Sequence, residues 1–203
     1  MKKLLTVLTC LFVVATISIS GCSEKEPILP DDVSEKIIDN FGYALAPAWL
    51  PKGFEYAGPF PDNIVADKAF TGKMMLQSYG RDASAAIGNS LVMSYPTTDI
   101  IPSAFQEMVG LIPPEDAITE IELNGNTAYF YRGNWSEETL GRVAKLEEPF
   151  DPKWDYERSI AIRFTINVPD EGSIWVSIST IFSVDDITQK DLIKIAKSVT
   201  VIE

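Results

Sequence analysis

Apolar and polar residues alternate along several short runs of this chain, which is the pattern of β-strands with one buried face. Residues 118–123 show it most strictly, and Asn124-Gly125 behind them is a strong hairpin signal leading into residues 127–131. A second hairpin is predicted with strands at 159–167 and 174–182 around a turn at 168–172. Shorter strands are predicted at 54–57, 74–79 and 91–95.

The strand predicted at 174–182 also distinguishes the two faces of the sheet. Val176 and Ile178 fall on one side, and Trp175, Ser177 and Ser179 fall on the other. A sheet with this pattern has one face in a hydrophobic core and a second, wetter face.

Helical spacing of apolar residues occurs near both ends of the chain. Residues 33–41 have it before Gly42, which is a stop signal for a helix. Near the C-terminus, Thr188 and Asp191 have the spacing of a capping box, and the apolar stripe behind them reaches Val199. Two helices are therefore predicted to flank the strands.

The middle of the chain is less regular. Residues 132–157 are polar and show no clean period, so a long excursion between strands is predicted, with a helical turn at 137–143. A brief helix is predicted at 102–111. Strands in meander order with helices at the ends predict an α+β fold, in which helices pack on one face of an antiparallel, curved sheet and a helix closes the chain.

The N-terminus has a different pattern. Lys2 and Lys3 precede an apolar run that ends at Ile19 and is followed by small residues. The run is shorter than the roughly 20 residues that cross a bilayer, which favours a secretory signal peptide over a permanent membrane helix.

The four residues Ile19-Ser20-Gly21-Cys22 resemble the lipobox of bacterial lipoproteins. The resemblance implies that Cys22 receives a diacylglyceryl group, that the leader is cut before Cys22, and that a further fatty acyl chain such as palmitate is added to the new amino group. Two or more acyl chains anchor a protein stably. We therefore expect the protein at the outer face of the cell membrane; the alternative is an ordinary cleaved signal with a Cys at its end.

Cysteine use and charge are consistent with this expectation. Cys10 lies inside the apolar run and would leave with it, so Cys22 would be the one cysteine of the mature chain. The net charge of the whole chain is −12, and such a surface repels nucleic acid and anionic headgroups. Tethering is therefore expected from lipid, and no nucleic-acid partner is expected.

Three segments are predicted. Residues 1–21 form the signal peptide, and residues 22–32, polar and with Pro27 and Pro30, form a lipidated flexible tether. Residues 33–203 form a single α+β domain.

Residues 50–54, the strand with Trp175 and the closing segment 191–199 are similar to an uncharacterised extracytoplasmic domain of lipoproteins and anti-sigma-factor-like proteins. The resemblance spans residues 41–203. It implies a fold distantly like that of curved-sheet lipoprotein carriers and envelope-stress sensors, and a sensing or binding role. It carries over no catalytic residues, and it includes no motif for residues 132–157.

Composition excludes much of hydrolase chemistry. The chain contains no His, which rules out Ser-His-Asp and Cys-His catalysis and His-ligated zinc. A cluster of acids could bind calcium or supply a glycosidase pair, but its spacing matches no calcium loop. A solvated loop is favoured, and neither a metal nor another cofactor is expected. The cluster comprises Glu147, Glu148, Asp151, Asp155 and Glu157.

Trp135, Trp154 and Trp175 are the candidate ligand contacts. The first two lie in the polar excursion, where indoles often form contact surfaces, whereas core or edge packing is the alternative for Trp175. The function predicted is a non-enzymatic binding or sensing domain for an acyl or glycan ligand or for an envelope protein. The alternatives are a carboxylate-based hydrolase of cell-wall glycans and a protein–protein interaction module of the envelope.

Overall fold

The computed structural model describes residues 26–58, 64–67, 72–81, 90–97, 111–145, 151–180 and 187–203. The helices in these ranges are α1 (Asp31–Phe41), α2 (Glu137–Lys145) and α3 (Gln189–Lys197), and none of them has the length and hydropathy of a membrane span. The strands are β1 (Ala44–Pro47), β2 (Glu55–Tyr56), β3 (Ile64–Asp67), β4 (Gly72–Gly80), β5 (Leu91–Thr97), β6 (Ile118–Leu123), β7 (Asn126–Trp135), β8 (Trp154–Val168), β9 (Gly172–Thr180) and β10 (Val199–Ile202).

Most strands belong to one antiparallel sheet with the order β2-β4-β5-β9-β8-β7-β6, and β3 also pairs with β4. Strands β6 to β9 follow one another as a meander, and β4 pairs with β5 as a second antiparallel unit. The two meet where β5 pairs with β9. With its helices, including the one near the C-terminus, this architecture confirms the predicted α+β class.

Both predicted hairpins are confirmed. Asn124 and Gly125 have φ of 51° and 80°, so both turn residues adopt the left-handed conformation that a type I′ turn requires. The β8–β9 hairpin closes at the pair Val168 and Gly172.

The hydrophobic core lies on one face of this sheet, where α1, α3 and the β1–β10 ladder cover it. Val176 and Ile178 of β9 are buried there, whereas Ser177 and Ser179 point to the other face, as the alternating pattern predicted. Other large side chains of the core are Ile37, Leu45, Met93, Ile162, Phe164, Leu192 and Ile195.

The β1–β10 ladder is a separate two-stranded sheet that the sequence patterns did not predict. It pairs Ala44 with Ile202 and Pro47 with Val199, residues far apart in the chain. Val199 was assigned to the apolar stripe of the last helix, and that assignment is wrong, because α3 ends at Lys197 and Val199 begins β10.

The predicted capping box of α3 is confirmed. The Thr188 hydroxyl accepts a hydrogen bond from the Asp191 backbone N–H at 3.2 Å, and the Thr188 N–H donates to the Asp191 carboxylate at 3.0 Å. Hydrogen bonding to Thr188 is the main cause that lowers the pKa of Asp191. The cap therefore fixes the start of the helix that covers the core.

The ordered domain begins before residue 33. Helix α1 starts at Asp31, Leu29 is buried, and the Ile28 N–H donates to the Pro47 carbonyl at 2.8 Å. The last residues of the segment expected to be a tether thus pack against β1. The leader, Cys22 and all but the last residue of the helix predicted at 102–111 lie outside the described residues.

The irregular excursion predicted at 132–157 is wrong at both of its ends. Strand β7 continues to Trp135, and β8 already begins at Trp154. The helix predicted at 137–143 is confirmed as α2. The strand period was hidden here because the β7–β8 pairing is irregular at this end.

Candidate functional site

The face of the main sheet opposite the core bears a cavity of about 450 Å³. Its floor comprises Tyr131 of β7, Ala161 and Arg163 of β8, and Ser177 and Ser179 of β9, which neighbour one another through the strand register. We call this the cavity face, and the opposite, helix-covered side the core face. The walls include Pro113, Trp135, Leu140, Trp154 and Arg158.

An irregularity between β7 and β8 shapes one wall of the cavity. Arg132 pairs with Ile160 and Asn134 pairs with Asp155, so residues 156–159 of β8 lie opposite Gly133 alone. An enlarged bulge of this kind redirects side chains from the regular alternation. It places both Arg158 and Ser159 at the cavity, although they are adjacent in sequence.

Gly133 is required at the bulge. Its φ is +95°, and a Cβ on it would come within 2.5 Å of both the Asp155 carbonyl oxygen and the Trp154 Nε1. Any larger residue would therefore combine left-handed backbone strain with a clash against backbone.

The two tryptophans of this region meet edge to face. The ring centroids of Trp135 and Trp154 are 5.1 Å apart with an interplanar angle of 86°. The Trp154 Nε1–H donates to the Arg132 carbonyl at 3.0 Å. The Trp135 Nε1 is buried and has no hydrogen-bond partner in the described part of the chain.

Helix α2 is attached to the same wall by hydroxyl groups. The Ser136 hydroxyl accepts from the Thr139 N–H at 3.2 Å, and the Thr139 hydroxyl accepts from the Lys153 N–H at 2.9 Å. These bonds hold Leu140, which lines the cavity, beside the ends of β7 and β8.

Tyr131 is the second buried donor at the cavity. It is 6% exposed, and its hydroxyl lacks a hydrogen-bond partner among the described residues. The Arg163 guanidinium lies over its ring, 5.3 Å from the centroid. Burial raises the pKa of Tyr131 to about 12, despite the opposing effect of Arg163, so the hydroxyl is protonated at neutral pH.

The electrostatics of the lining differ from those of the whole chain. Arg158 and Arg163 both line the cavity, and no carboxylate does so among the described residues. The chain has a net charge of −12, so this part of the surface differs in sign from the protein as a whole.

The structure brings together two of the three predicted contact residues. Trp135 and Trp154 line the cavity, although Trp135 is buried at 6% exposure and does not form an open contact surface. Trp175 lies on the cavity face outside the lining and stacks on Tyr129, with centroids 6.2 Å apart. Cys22 lies outside the described residues.

The predicted acidic cluster is only partly described. Asp155 and Glu157 are exposed, and the Asp155 carboxylate accepts a hydrogen bond from the Glu157 N–H at 3.0 Å. No group of three or more potential metal ligands occurs among the described residues, and Glu147 and Glu148 are not among these.

Sequence patterns missed Tyr131, Arg158 and Arg163 as site residues. Their convergence depends on strand register and on the bulge, which leave almost no local trace. The one available signal was Gly133, since a glycine inside a strand of apolar and aromatic residues often marks a bulge.

Comparison of the chain with family models, curated proteins and solved structures finds no match. The family resemblance expected from the sequence therefore stays a prediction.

Proposed function

We propose that this chain is an exported protein, anchored by lipid at the outer face of the cell membrane, whose domain binds a small ligand in the cavity without transforming it. The observation that carries the binding part is the pair of buried donors, the Tyr131 hydroxyl and the Trp135 Nε1–H, which lack partners among the described residues. Buried polar groups are almost always hydrogen-bonded, so two at one cavity favour a ligand that completes them.

The size and composition of the cavity support the same proposal. A volume of about 450 Å³ lies within the range of about 300–1,000 Å³ that small-molecule sites occupy. Aromatic and aliphatic walls combined with a few convergent polar groups are also typical of such sites. The rings of Trp135 and Trp154 supply the apolar wall, and Arg163, Ser177 and Ser179 supply the polar groups.

A binding role fits this lining better than the glycan hydrolase that the sequence left open. Glycoside hydrolysis uses two carboxylic acids facing each other across the substrate. The described lining of this cavity contains no Asp or Glu. The acids that are described near it, Asp155 and Glu157, are exposed on the bulge.

Binding is tested by thermal midpoint and tryptophan fluorescence, because two indoles line the cavity. The probes are decanoate, decanol, glucuronate and N,N′-diacetylchitobiose, which pair an anionic with a neutral compound among both alkyl-chain and sugar ligands. We expect at least one probe to raise the midpoint saturably, as any ligand of the folded state does. A panel without any effect would contradict the binding proposal.

Blocking the cavity provides the matched control. Ser177→Phe places a ring in the floor and should abolish the shift, whereas Ser173→Phe puts the same ring on the same strand and face, outside the lining. Equal shifts of the thermal midpoint by ligand in both variants would show that the ligand binds outside this cavity.

The anchor is tested separately. We expect palmitate labelling and detergent-phase partition of the wild type, loss of both in Cys22→Ala, and no change in Cys10→Ala, because Cys10 lies within the predicted leader. Release of unlabelled wild-type protein into the medium would refute the anchor and leave the ligand-binding proposal unaffected.

A further inference from the structure

We infer that the ligand is a small organic anion, with a carboxylate or phosphate beside a flat apolar ring. This inference rests on the proposed binding function and names the class of ligand.

The unpartnered groups define what the ligand must offer. The Trp135 Nε1–H can only donate, and a guanidinium such as that of Arg163 can only donate. The Tyr131 hydroxyl is protonated at neutral pH and also has a proton to give. A ligand that satisfies all three must present acceptor oxygens.

The charge of the lining favours an anionic acceptor over a neutral one. Arg163 has no ion pair with any described residue, and its guanidinium lies over the face of the Tyr131 ring. No described carboxylate lines the cavity to compensate Arg163. A guanidinium fork matches the oxygens of a carboxylate or phosphate, and such charge-assisted bonds are about twice as strong as neutral ones.

The apolar part of the ligand follows from the apolar residues of the lining. Trp135, Trp154, Leu140 and Pro113 supply aromatic and aliphatic surface within the same cavity as Arg163. Aromatic side chains pack well against other flat rings, stacked or edge to face. A bicyclic ring with one oxyanion fits a cavity of about 450 Å³ with room to spare.

The test uses three probes that share one ring: 2-naphthoate, 2-naphthyl phosphate and the neutral 2-naphthamide. We expect one or both anions to bind at least about tenfold more tightly than the amide in isothermal titration calorimetry. A tenfold difference corresponds to the lower end of the free energy that hydrogen bonds to charged groups contribute. Comparing the two anions identifies which oxyanion the site prefers.

Two substitutions locate the recognition. Arg163→Gln should remove the preference for the anion, lowering its affinity at least about tenfold and that of the amide less than about threefold. Trp135→Phe keeps a ring and removes the Nε1–H, so it should weaken the anion several-fold and provides a second variant if Arg163→Gln fails to fold. Arg142→Gln is the control, because Arg142 is 42% exposed on α2, pairs with Glu138 at 3.1 Å and lies outside the lining.

The outcomes separate the two claims. Equal affinity for anions and amide would overturn the anionic class and leave ligand binding intact. No binding of any naphthyl probe or of the acyl and glycan panel would overturn both. An unchanged preference for the anion in Arg163→Gln and Trp135→Phe would also overturn the inference, because the charge would then be recognised elsewhere.

Discussion

On the core face of the main sheet, Gln77 is fully buried and its amide is satisfied on both sides. Its Nε2 donates to the Tyr95 hydroxyl at 2.9 Å, and its Oε1 accepts from the Tyr79 hydroxyl at 2.8 Å. The Tyr95 oxygen also accepts the Leu45 N–H at 3.1 Å, which ties β1 to the sheet. On the cavity face, Tyr131 and Trp135 are buried with no such network among the described residues.

The difference separates stability from function within one sheet. The core-face polar groups complete one another, so removing any of them should cost folding free energy. The cavity-face donors cost folding free energy as they stand, and a ligand would recover it. Removal of a buried hydroxyl should therefore lower stability on the core face and leave it unchanged or raise it on the cavity face.

The largest effect is expected at the bulge that shapes the cavity face. Gly133→Ala should destabilise by about 3 kcal/mol or more, since it adds a clash to the left-handed strain of about 1–3 kcal/mol. Chemical denaturation measures the change. Gly172→Ala is the matched control, because its φ is +80° but a Cβ there meets nothing within 4 Å. Equal losses in both variants would show that the bulge is not tightly packed.

The next effect concerns the core-face network. Tyr95→Phe leaves the Leu45 N–H and one Gln77 amide group without their acceptor, so we expect a loss of about 1–3 kcal/mol. A double-mutant cycle with Tyr79→Phe should show non-additivity, because both hydroxyls share Gln77. A neutral Tyr95→Phe would mean that the network contributes nothing to the contrast between the faces.

The helix that covers the core face should respond to its cap. Thr188→Ala is expected to cost about 1 kcal/mol, as for other capping hydroxyls. Because the folded-state pKa of Asp191 is lowered, its contribution is present above the usual carboxyl pKa of 3.8 and is lost as pH falls through the folded value. Unfolding of wild type and Asp191→Asn should therefore differ at pH 7 and converge in strong acid; a gap independent of pH would contradict the role of the charge.

The smallest effect has the opposite sign. Tyr131→Phe deletes a buried hydroxyl that lacks a described partner, so stability should be unchanged or rise by up to about 1 kcal/mol. The raised pKa of Tyr131 also predicts a pH dependence. The contribution of the protonated hydroxyl to the free energy of unfolding of the wild type is lost as pH rises from the ordinary pKa of 10 to the folded-state pKa of about 12. Tyr131→Phe should lose less stability over that interval, and a clear loss at pH 7 would refute the contrast between the faces.

Local chemistry explains which parts of the fold were predictable. Asn124-Gly125, the alternation around Val176 and the Thr188–Asp191 spacing each act over a few residues, and all three predictions are confirmed. The pairing of Ala44 with Ile202 leaves no local pattern, because it depends on where the rest of the chain brings the two strands. The same dependence made Val199 look helical.

The cavity was predictable only in part. Trp135 and Trp154 were found because indoles are conspicuous in a polar segment. Arg163 could not be found, because a surface arginine on a strand has the same local sequence whether or not Tyr131 lies beneath it. A strand pairing with four residues opposite one is set by the tertiary structure, so the convergence of the site residues required the register itself.

The burial of Leu29 limits how far this protein could extend into its surroundings. Seven peptide bonds separate Cys22 from Leu29, and a chain of that length spans at most about 25 Å. We consider the case in which Cys22 carries lipid, as proposed. The Leu29 end of the domain would then stay within that distance of the bilayer surface. Whatever this protein binds would have to come to the membrane to meet it.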